Sequence, residues 1–310
     1  MLNFKKITAV ILSVIAMGLH CRCPAVYAQS EESAFTHTLI NGEVTIIGFS
    51  GEPVYLEIPE YIDGYPVTKI RDNAFFNCSS LKQISLPDTI TEIGHHTFYG
   101  CNSLESIVLP DLLTELGMGA FTNCTSLSAV TLPLTLETLP EACFDNCSAL
   151  AEIVIPQGIS SIGDYCFTDC TALSYVSIGA DASHIGRCAF FNCSSLTSIY
   201  IPPSVTTIGD MAVGFSDENS SVSAVSDFTV MGIEDSQAEI YAQSNNLPFL
   251  HASEAISLAK HSSTPVKRIP LWIIPLLAGS GLGLFALSCI IAVRQVRRDR
   301  KSSHENYEKD

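Results

Sequence analysis

Residues 74–87 read Ala-Phe-Phe-Asn-Cys-Ser-Ser-Leu-Lys-Gln-Ile-Ser-Leu-Pro, and the pattern of this stretch returns along the chain at a constant interval. Each copy has a phenylalanine, a cysteine three positions later and a leucine after three more. The phenylalanines are Phe75, Phe98, Phe121, Phe144, Phe167 and Phe190; the cysteines are Cys78, Cys101, Cys124, Cys147, Cys170 and Cys193; the leucines are Leu81, Leu104, Leu127, Leu150, Leu173 and Leu196. A fixed period of 23 over six copies indicates a repeat architecture.

Each copy predicts one short β-strand followed by a turn. Aliphatic residues at the third and fifth positions after the leucine, such as Ile84 and Leu86, alternate with polar Ser85, as on a strand with one buried side. Pro87 cannot donate a ladder hydrogen bond and ends the strand. A second short apolar element, Ile90-Thr-Glu-Ile93, comes next, and Gly94 is expected to turn the chain.

One such unit buries too few apolar side chains to offset the entropy lost when its whole backbone is ordered. The units must therefore stack on one another, and arrays of this kind need caps at their ends. We predict a solenoid of short stacked β-strands, capped at both ends.

The sequence on either side of the repeats predicts the two caps. Upstream, residues 42–48 and 54–59 are expected to form a pair of strands, and Asp63-Gly64 fits a turn. Downstream, Val213 stands where the period requires phenylalanine. Residues 236–245 predict a short helix with Ser236 as its N-cap and Glu239 three positions later, the spacing of a capping box.

Both termini carry apolar segments that we read as targeting and anchoring sequences. Lys5 and Lys6 precede the apolar run Ile7–Leu19, and a small-residue site ends at Ala28, as in a cleaved secretory signal peptide. Lipidation at Cys21 is the alternative, and His20 before it disfavours that reading.

A second apolar segment, Ile269–Val293, contains no charged residue. As a helix it would reach about 37 Å, enough to span a hydrocarbon core of about 30 Å with some tilt. A basic cluster from Arg294 to Lys301 follows it, so the positive-inside rule places the C-terminus in the cytoplasm and the repeats outside.

These readings divide the chain into seven segments. They are a signal peptide (1–28), an N-terminal cap with lead-in strands (29–73), six repeats (74–213), a C-terminal cap (214–250), a stalk (251–268), a transmembrane helix (269–293) and a cytoplasmic tail (294–310).

The region between the predicted signal peptide and the predicted stalk is strongly acidic. Between Glu31 and Leu250 there are 27 Asp and Glu residues, against the four basic residues Lys69, Arg71, Lys82 and Arg187. This excess argues against nucleic acid or an anionic lipid surface as partner. Solubility at a cell surface and binding of a basic ligand both remain open as its purpose.

The periodic cysteines favour buried free thiols over a disulfide framework. Parallel stacking would hold neighbouring Cβ atoms about 4.8 Å apart, beyond the usual disulfide range. A bridge among Cys143, Cys166 and Cys188 is the exception we consider. Asn77, Asn123, Asn146 and Asn192 match the glycosylation sequon, and we interpret them as turn formers.

No nucleophile with a base, paired-carboxylate cleft or phosphate loop stands out from the repeat pattern. No histidine pair faces the cysteines, which disfavours a metal site. We expect a non-enzymatic protein without a cofactor.

The run Ala-Phe-x-x-Cys-x-x-Leu-x-x-Ile-x-Ile/Leu-Pro closely resembles the BspA-type leucine-rich repeats of bacterial surface proteins. The lead-in Glu57–Ile70 and the closing segment Ser236–Ala242 also resemble those of such arrays, so the match covers about residues 42–249. The resemblance implies a leucine-rich-repeat fold and, broadly, a role in adhesion to host proteins or other cells.

A ligand is expected on the strand face, at positions that vary between copies. The candidate residues are Tyr175, Tyr200, Glu152, Val154 and Val108. The two tyrosines stand out because tyrosine is enriched in binding hot spots; covering the edge of the array is the alternative role. We predict an adhesion or protein-binding protein of the cell surface whose partner is an extracellular protein or cell-surface ligand. A receptor-like or structural subunit of a membrane complex is the alternative.

Overall fold

The computed structural model describes residues 34–218, 221–225 and 227–253. In these ranges the chain forms a β-solenoid of about nine turns with repeats of the predicted length. No helix within them is long and apolar enough to cross a membrane. The predicted signal peptide, transmembrane helix and tail, and nearly all of the predicted stalk, lie outside the described residues.

The strands are short, and a short α-helix lies near the C-terminal end of the described residues. In chain order the elements are β1 (Phe35–Ile40), β2 (Glu43–Phe49), β3 (Tyr55–Glu57), β4 (Tyr61–Ile62), β5 (Tyr65–Ile70), β6 (Gln83–Ser85), β7 (Glu92–Ile93), β8 (Ser106–Val108), β9 (Glu115–Leu116), β10 (Ala129–Thr131), β11 (Thr138–Leu139), β12 (Glu152–Ile155), β13 (Ser161–Ile162), β14 (Tyr175–Ile178), β15 (His184–Ile185), β16 (Ser198–Tyr200), β17 (Thr207–Ile208), β18 (Phe215–Glu218), β19 (Ser221–Ala224), β20 (Thr229–Gly232), α1 (Gln237–Ser244) and β21 (Phe249–His251).

Two stacks of parallel strands form two sides of the solenoid. The first stack runs β3, β6, β8, β10, β12, β14, β16, β20 and β21, with interruptions of the hydrogen-bond ladder after β10 and β14. The second stack runs β2, β5, β7, β9, β11, β13, β15 and β17, interrupted after β9. Equivalent residues of successive repeats stand opposite each other, as Glu152 and Tyr175 do. Side chains that alternate along a strand therefore form straight columns along the solenoid.

A ladder of turns forms the third side. Here the backbone N–H of Phe75 donates to Thr97 O (2.9 Å), and that of Phe98 donates to Ala120 O (2.8 Å). The sequon asparagines Asn77, Asn123, Asn146 and Asn192 lie in these turns with φ between 55° and 62°. Asparagine tolerates this left-handed conformation better than most residues, which confirms the interpretation as turn formers.

The core is a continuous stack of phenyl rings. The six repeat phenylalanines are buried, and successive ring centroids lie 5.1–5.3 Å apart at interplanar angles of 1–9°. Beside them, the Cys124 thiol donates to Phe98 O at 3.1 Å, and Cys101, Cys147, Cys170 and Cys193 make the equivalent bond. The nine cysteines of the described residues are free thiols, Cys143, Cys166 and Cys188 included.

The glycine after the second strand has a different role from the one expected. We predicted that Gly94 and its equivalents turn the chain. The structure instead shows a close approach: a Cβ on Gly117 would lie 2.3 Å from Gly94 C and from His95 N of the preceding turn. Neither glycine has a positive φ. Lack of a side chain, rather than backbone freedom, is what the fold requires there.

At the N-terminal end the predicted pairing of strands is wrong. β2 pairs with β1 and β5, while β3 pairs with β6, so the two predicted partners lie in different stacks. β1, which the sequence analysis missed, forms a hairpin with β2 through Asn41 and Gly42, both with positive φ. The Asp63-Gly64 turn is confirmed between β4 and β5.

At the C-terminal end, a hairpin is inserted and a helix covers the last turns. Ser198 of β16 pairs with Thr229 of β20, which lies further along the chain than the period would place it, and the β18–β19 hairpin accounts for the insertion. The helix is confirmed, with Ser236 and Asn245 as its caps, but the capping box is not formed. The Ser236 hydroxyl donates to Ile233 O, and Glu239 accepts the N–H of Asp235 instead.

Tyr241 of α1 replaces a missing turn of the ladder. Its hydroxyl accepts the N–H of Val213 (3.2 Å) and donates to Val213 O (3.0 Å), and both residues are buried. Val213 stands at the phenylalanine position of the last repeat, where the next turn would otherwise supply both partners. One hydroxyl thus satisfies two buried backbone groups.

Candidate functional site

The five candidate residues project from the outward side of the first stack. In β12 and β14 the inward residues Ile153, Ile155, Val176 and Ile178 belong to the core. Glu152, Val154 and Tyr175 alternate with them and point away from the core. Tyr200 occupies the same outward side on β16, one turn further along.

Four of the candidates lie together around a fifth residue. The parallel register places Glu152 opposite Tyr175 and Val154 opposite Ser177. Tyr200 follows Ser177 in the same column, one period later. Although Ser177 points outward, its exposure is only 8%. The neighbouring side chains must therefore lean over it, and we call Glu152, Val154, Tyr175, Ser177 and Tyr200 the tyrosine cluster.

Both phenol groups stay protonated at neutral pH. Burial raises the pKa of Tyr175 to about 12; the charge of Glu152 adds to this, and a hydrogen bond with Ser177 opposes it. Burial also raises the pKa of Tyr200. The cluster therefore offers neutral hydroxyl groups and partly exposed aromatic carbon, beside one carboxylate at Glu152.

Val108 lies apart from this cluster. It is on β8, two turns before Val154, with Thr131 of β10 directly beside it in the column. Val108 is 56% exposed and Val154 is 49% exposed. The outward face of the first stack thus has two separated exposed apolar residues, Val108 and Val154, and only Val154 lies beside the tyrosines.

Two further residues of this face are not among the five candidates. Ser177 is a variable position of the strand face, and its place between Val154 and Tyr200 follows from the period. Met231 of β20 stands opposite Tyr200 and is buried. The inserted β18–β19 hairpin shifts Met231 out of the repeat period, so no sequence pattern indicated it.

The thiols of the core are unsuited to nucleophilic chemistry. Burial raises the pKa of Cys101 to about 12 and also raises the pKa values of Cys124, Cys147 and Cys170. A protonated thiol is a poor nucleophile and a poor metal ligand. Within the described ranges, no group of three or more His, Cys, Asp or Glu side chains is arranged to hold a metal ion.

Comparison with known proteins agrees with this architecture. The sequence profile of the BspA type leucine rich repeat region matches in six copies, at residues 68–194 and 160–247. No curated protein matches the chain.

Several solved bacterial structures are similar. A leucine rich cell surface protein from Faecalibacterium prausnitzii is 27% identical with a TM-score of 0.53, over 62% of this chain and 56% of that one. A leucine-rich repeat protein from Eubacterium ventriosum is 24% identical with a TM-score of 0.50, over 60% of this chain and 54% of that one. The chain therefore spans little more than half of either protein.

The profile match extends over residues 68–247, more than half of the 310 residues, and coincides with the stacked turns of the solenoid. The chain therefore belongs to the family of BspA-type leucine-rich-repeat proteins.

Proposed function

We propose that this chain is a non-enzymatic cell-surface protein that binds another protein or a cell-surface ligand through the tyrosine cluster. The observation that carries the proposal is that Tyr175 and Tyr200 share the outward face with Ser177, which is buried although it points outward. Tyrosine provides a large contact area at a low cost in side-chain entropy, and it is enriched at binding hot spots.

The rigidity of the face supports this role. Each candidate residue lies on a strand that is paired with at least one neighbour: β12 with β14, β16 with β20, and β8 with both β6 and β10. Side chains that are already ordered before binding lose little conformational entropy when a partner arrives. Glu152 and Val154 extend the cluster, and Val108 would contact the outer part of a larger partner.

The proposed setting is the outer face of a membrane. Residues 1–28 would direct secretion, residues 269–293 would anchor the chain, and residues 294–310 would remain in the cytoplasm. The family match and the cell-surface description of the similar Faecalibacterium prausnitzii protein are consistent with this placement. The acidic excess of the region disfavours nucleic acid as the partner.

The test is binding of residues 29–268 to whole cells and to immobilised extracellular matrix proteins, beside the variant Tyr175→Ala/Tyr200→Ala. We expect saturable binding that the double variant reduces at least about tenfold, as for hot-spot residues. Circular dichroism should show that both proteins are folded.

The matched control is Val222→Ala on the β18–β19 hairpin, an exposed apolar residue away from the first stack. It should bind as the unsubstituted protein does. Equal binding by the tyrosine variant would exclude the cluster as the contact surface. No binding by a folded protein would favour the receptor-like or structural role instead.

A further inference from the structure

Two leucines are exposed at turns where the other repeats have polar or small residues. The two positions after the proline that ends a first-stack strand are occupied by Asp88-Thr89, Asp111-Leu112, Leu134-Thr135 and Gln157-Gly158 in successive repeats. Leu112 is 56% exposed and Leu134 is 75% exposed. Because the same turn accepts aspartate, threonine, glutamine and glycine, folding does not require leucine at either position.

The backbone brings these two leucines onto adjacent turns. The Thr135 hydroxyl donates to Asp111 O (3.2 Å) and to Leu113 O (2.5 Å), the carbonyls on either side of Leu112. A Cβ on Gly158 would lie 3.1 Å from Leu134 O, so the next turn packs closely as well. Leu112 and Leu134 therefore form a short apolar ridge along the edge between the two strand stacks.

Five acidic residues lie in the columns of the two leucines or three positions after them along the chain. Asp88 and Asp111 occupy the position of Leu134 in the two preceding repeats. Asp181 occupies the position of Leu112 three repeats later. Glu115 and Glu137 follow Leu112 and Leu134, respectively, by three positions. All five acidic residues are exposed. The ion pairs between described residues, Lys69–Glu92, Lys82–Glu105 and His37–Asp63, involve other carboxylates. We call Leu112, Leu134 and these five acidic residues the leucine ridge.

We propose that the leucine ridge is a second contact surface, which binds a cationic amphipathic segment of a partner protein. The leucines would contact the apolar side of that segment, and the five carboxylates would face its lysines or arginines. Burial of apolar carbon supplies affinity, while complementary charge supplies orientation and a fast approach. An amphipathic helix presents both kinds of side chain in one short segment.

This surface shares no residue with the tyrosine cluster, so the two proposals can fail separately. The tyrosine cluster lies on the outward face of β12, β14 and β16, whereas the two leucines of the ridge lie on the turns that follow β8 and β10. The acidic residues of the ridge lie in β9 or on the turns that follow β6, β8, β10 and β14. The contacts proposed for a partner at the leucine ridge do not include Tyr175 or Tyr200.

The test uses the full chain in a non-ionic detergent and a fluorescently labelled amphipathic helix of lysine and leucine as the probe. A peptide with the same lysines, and serine in place of leucine, is the charge-matched comparison. Fluorescence anisotropy is measured against detergent alone at several salt concentrations. We expect the leucine peptide to bind, with a Kd that rises with ionic strength.

Two variants test the two components of the contact. Leu112→Ser/Leu134→Ser should weaken binding at least about tenfold, since each buried leucine contributes that order of affinity. Asp111→Asn/Glu137→Gln should also weaken binding and flatten its dependence on salt. Val222→Ser, an exposed apolar residue on the β18–β19 hairpin, should leave the Kd within about twofold, as for a surface change away from the contact.

Equal binding of the serine peptide, or unchanged binding by the folded leucine double variant, would overturn the proposal. Loss of peptide binding in Tyr175→Ala/Tyr200→Ala would also overturn it, because the probe would then occupy the strand face. Retained peptide binding in that tyrosine variant supports the leucine ridge whatever the outcome of the cell-binding test.

Discussion

At the scale of single residues, Gly117 marks a place where the backbones of two turns nearly touch. A Cβ there would overlap Gly94 C and His95 N, each at 2.3 Å. These atoms belong to the backbone of a packed turn, so they cannot move aside as a flexible side chain would.

We therefore predict that Gly117→Ala lowers the free energy of unfolding by about 1–3 kcal/mol, the usual cost of overpacking. Gly48→Ala is the matched control, because a Cβ there meets only Ala74 O at 4.0 Å. Urea unfolding followed by circular dichroism measures both. Equal stability of the two variants would show that the turns can separate without cost.

Asn123 illustrates a second requirement, a backbone conformation rather than space. Its φ is 62°, and its side-chain oxygen accepts a hydrogen bond from Asn146 Nδ2 at 2.8 Å. Alanine would lose both the tolerance of a positive φ and the hydrogen bond, whereas glycine would lose only the hydrogen bond.

Asn123→Ala should cost about 1–2 kcal/mol through left-handed strain, and Asn123→Gly should cost less. Thermal unfolding of the two variants side by side gives the comparison. If glycine proved as damaging as alanine, the loss would come from the side-chain hydrogen bond, which both substitutions remove, rather than from the backbone angle.

At the scale of elements, α1 is fastened to the solenoid through Tyr241. The hydroxyl group of Tyr241 is the partner of two buried backbone groups of Val213, and the helix also contacts β17, β20 and β21.

Tyr241→Phe should lower the free energy of unfolding by about 1–3 kcal/mol, since buried groups would lose their partner. Amide hydrogen exchange should accelerate first in α1 and around Val213, because the ends of a solenoid can open locally. Tyr99→Phe, at a tyrosine that stacks on Phe76, is the comparison and should change exchange little. Uniform acceleration across all turns would contradict a local role.

The period of 23 was sufficient to predict the elements that repeat. The strands beginning at Gln83, Ser106 and Ala129 and the burial of the phenylalanine column follow from a pattern present in six copies. Where the chain departs from the period, the helix α1 and the Asp63-Gly64 turn were predicted, but the pairing of the other elements was not. β1 and β2 form an antiparallel hairpin outside the repeat, and the β18–β19 insertion displaces Met231.

The candidate site was predictable as a face but not as a cluster. Alternation placed Tyr175, Tyr200, Glu152, Val154 and Val108 on the outward side of their strands. It could not show that Ser177 is buried, because the burial of an outward residue depends on how the neighbouring side chains pack. The exposure of Leu112 and Leu134 was likewise hidden, since leucine in a repeat is ordinarily read as core.

At the scale of the whole molecule, the acidic excess makes the fold sensitive to pH. Most of the carboxylates are exposed, and repulsion among them opposes the compact state. Asp145 is different, because burial and the nearby Asp169 raise its pKa from 3.8 to about 6. Its carboxyl binds a proton more tightly in the folded chain than in the unfolded one.

The contribution of Asp145 to stability is therefore present at low pH and is lost as pH rises through about 6. We predict that the free energy of unfolding falls between about pH 4 and pH 6, and that Asp145→Asn removes part of this slope. Urea unfolding at several pH values measures it. Asp111→Asn, at an exposed carboxylate, should leave the slope nearly unchanged; an equal effect of both variants would mean that general repulsion dominates.

The column of buried thiols has a consequence for how the protein must be made. In the solenoid eight of the nine described thiols are buried and that of Cys78 is partly exposed, but in the unfolded chain these nine cysteines are accessible to one another. Any disulfide formed at that stage would join residues that the finished array keeps as thiols. Refolding under oxidising conditions should therefore give scrambled, inactive material, and a reductant present until the turns have stacked should restore the yield. Once the solenoid has folded, its buried thiols no longer need a reductant.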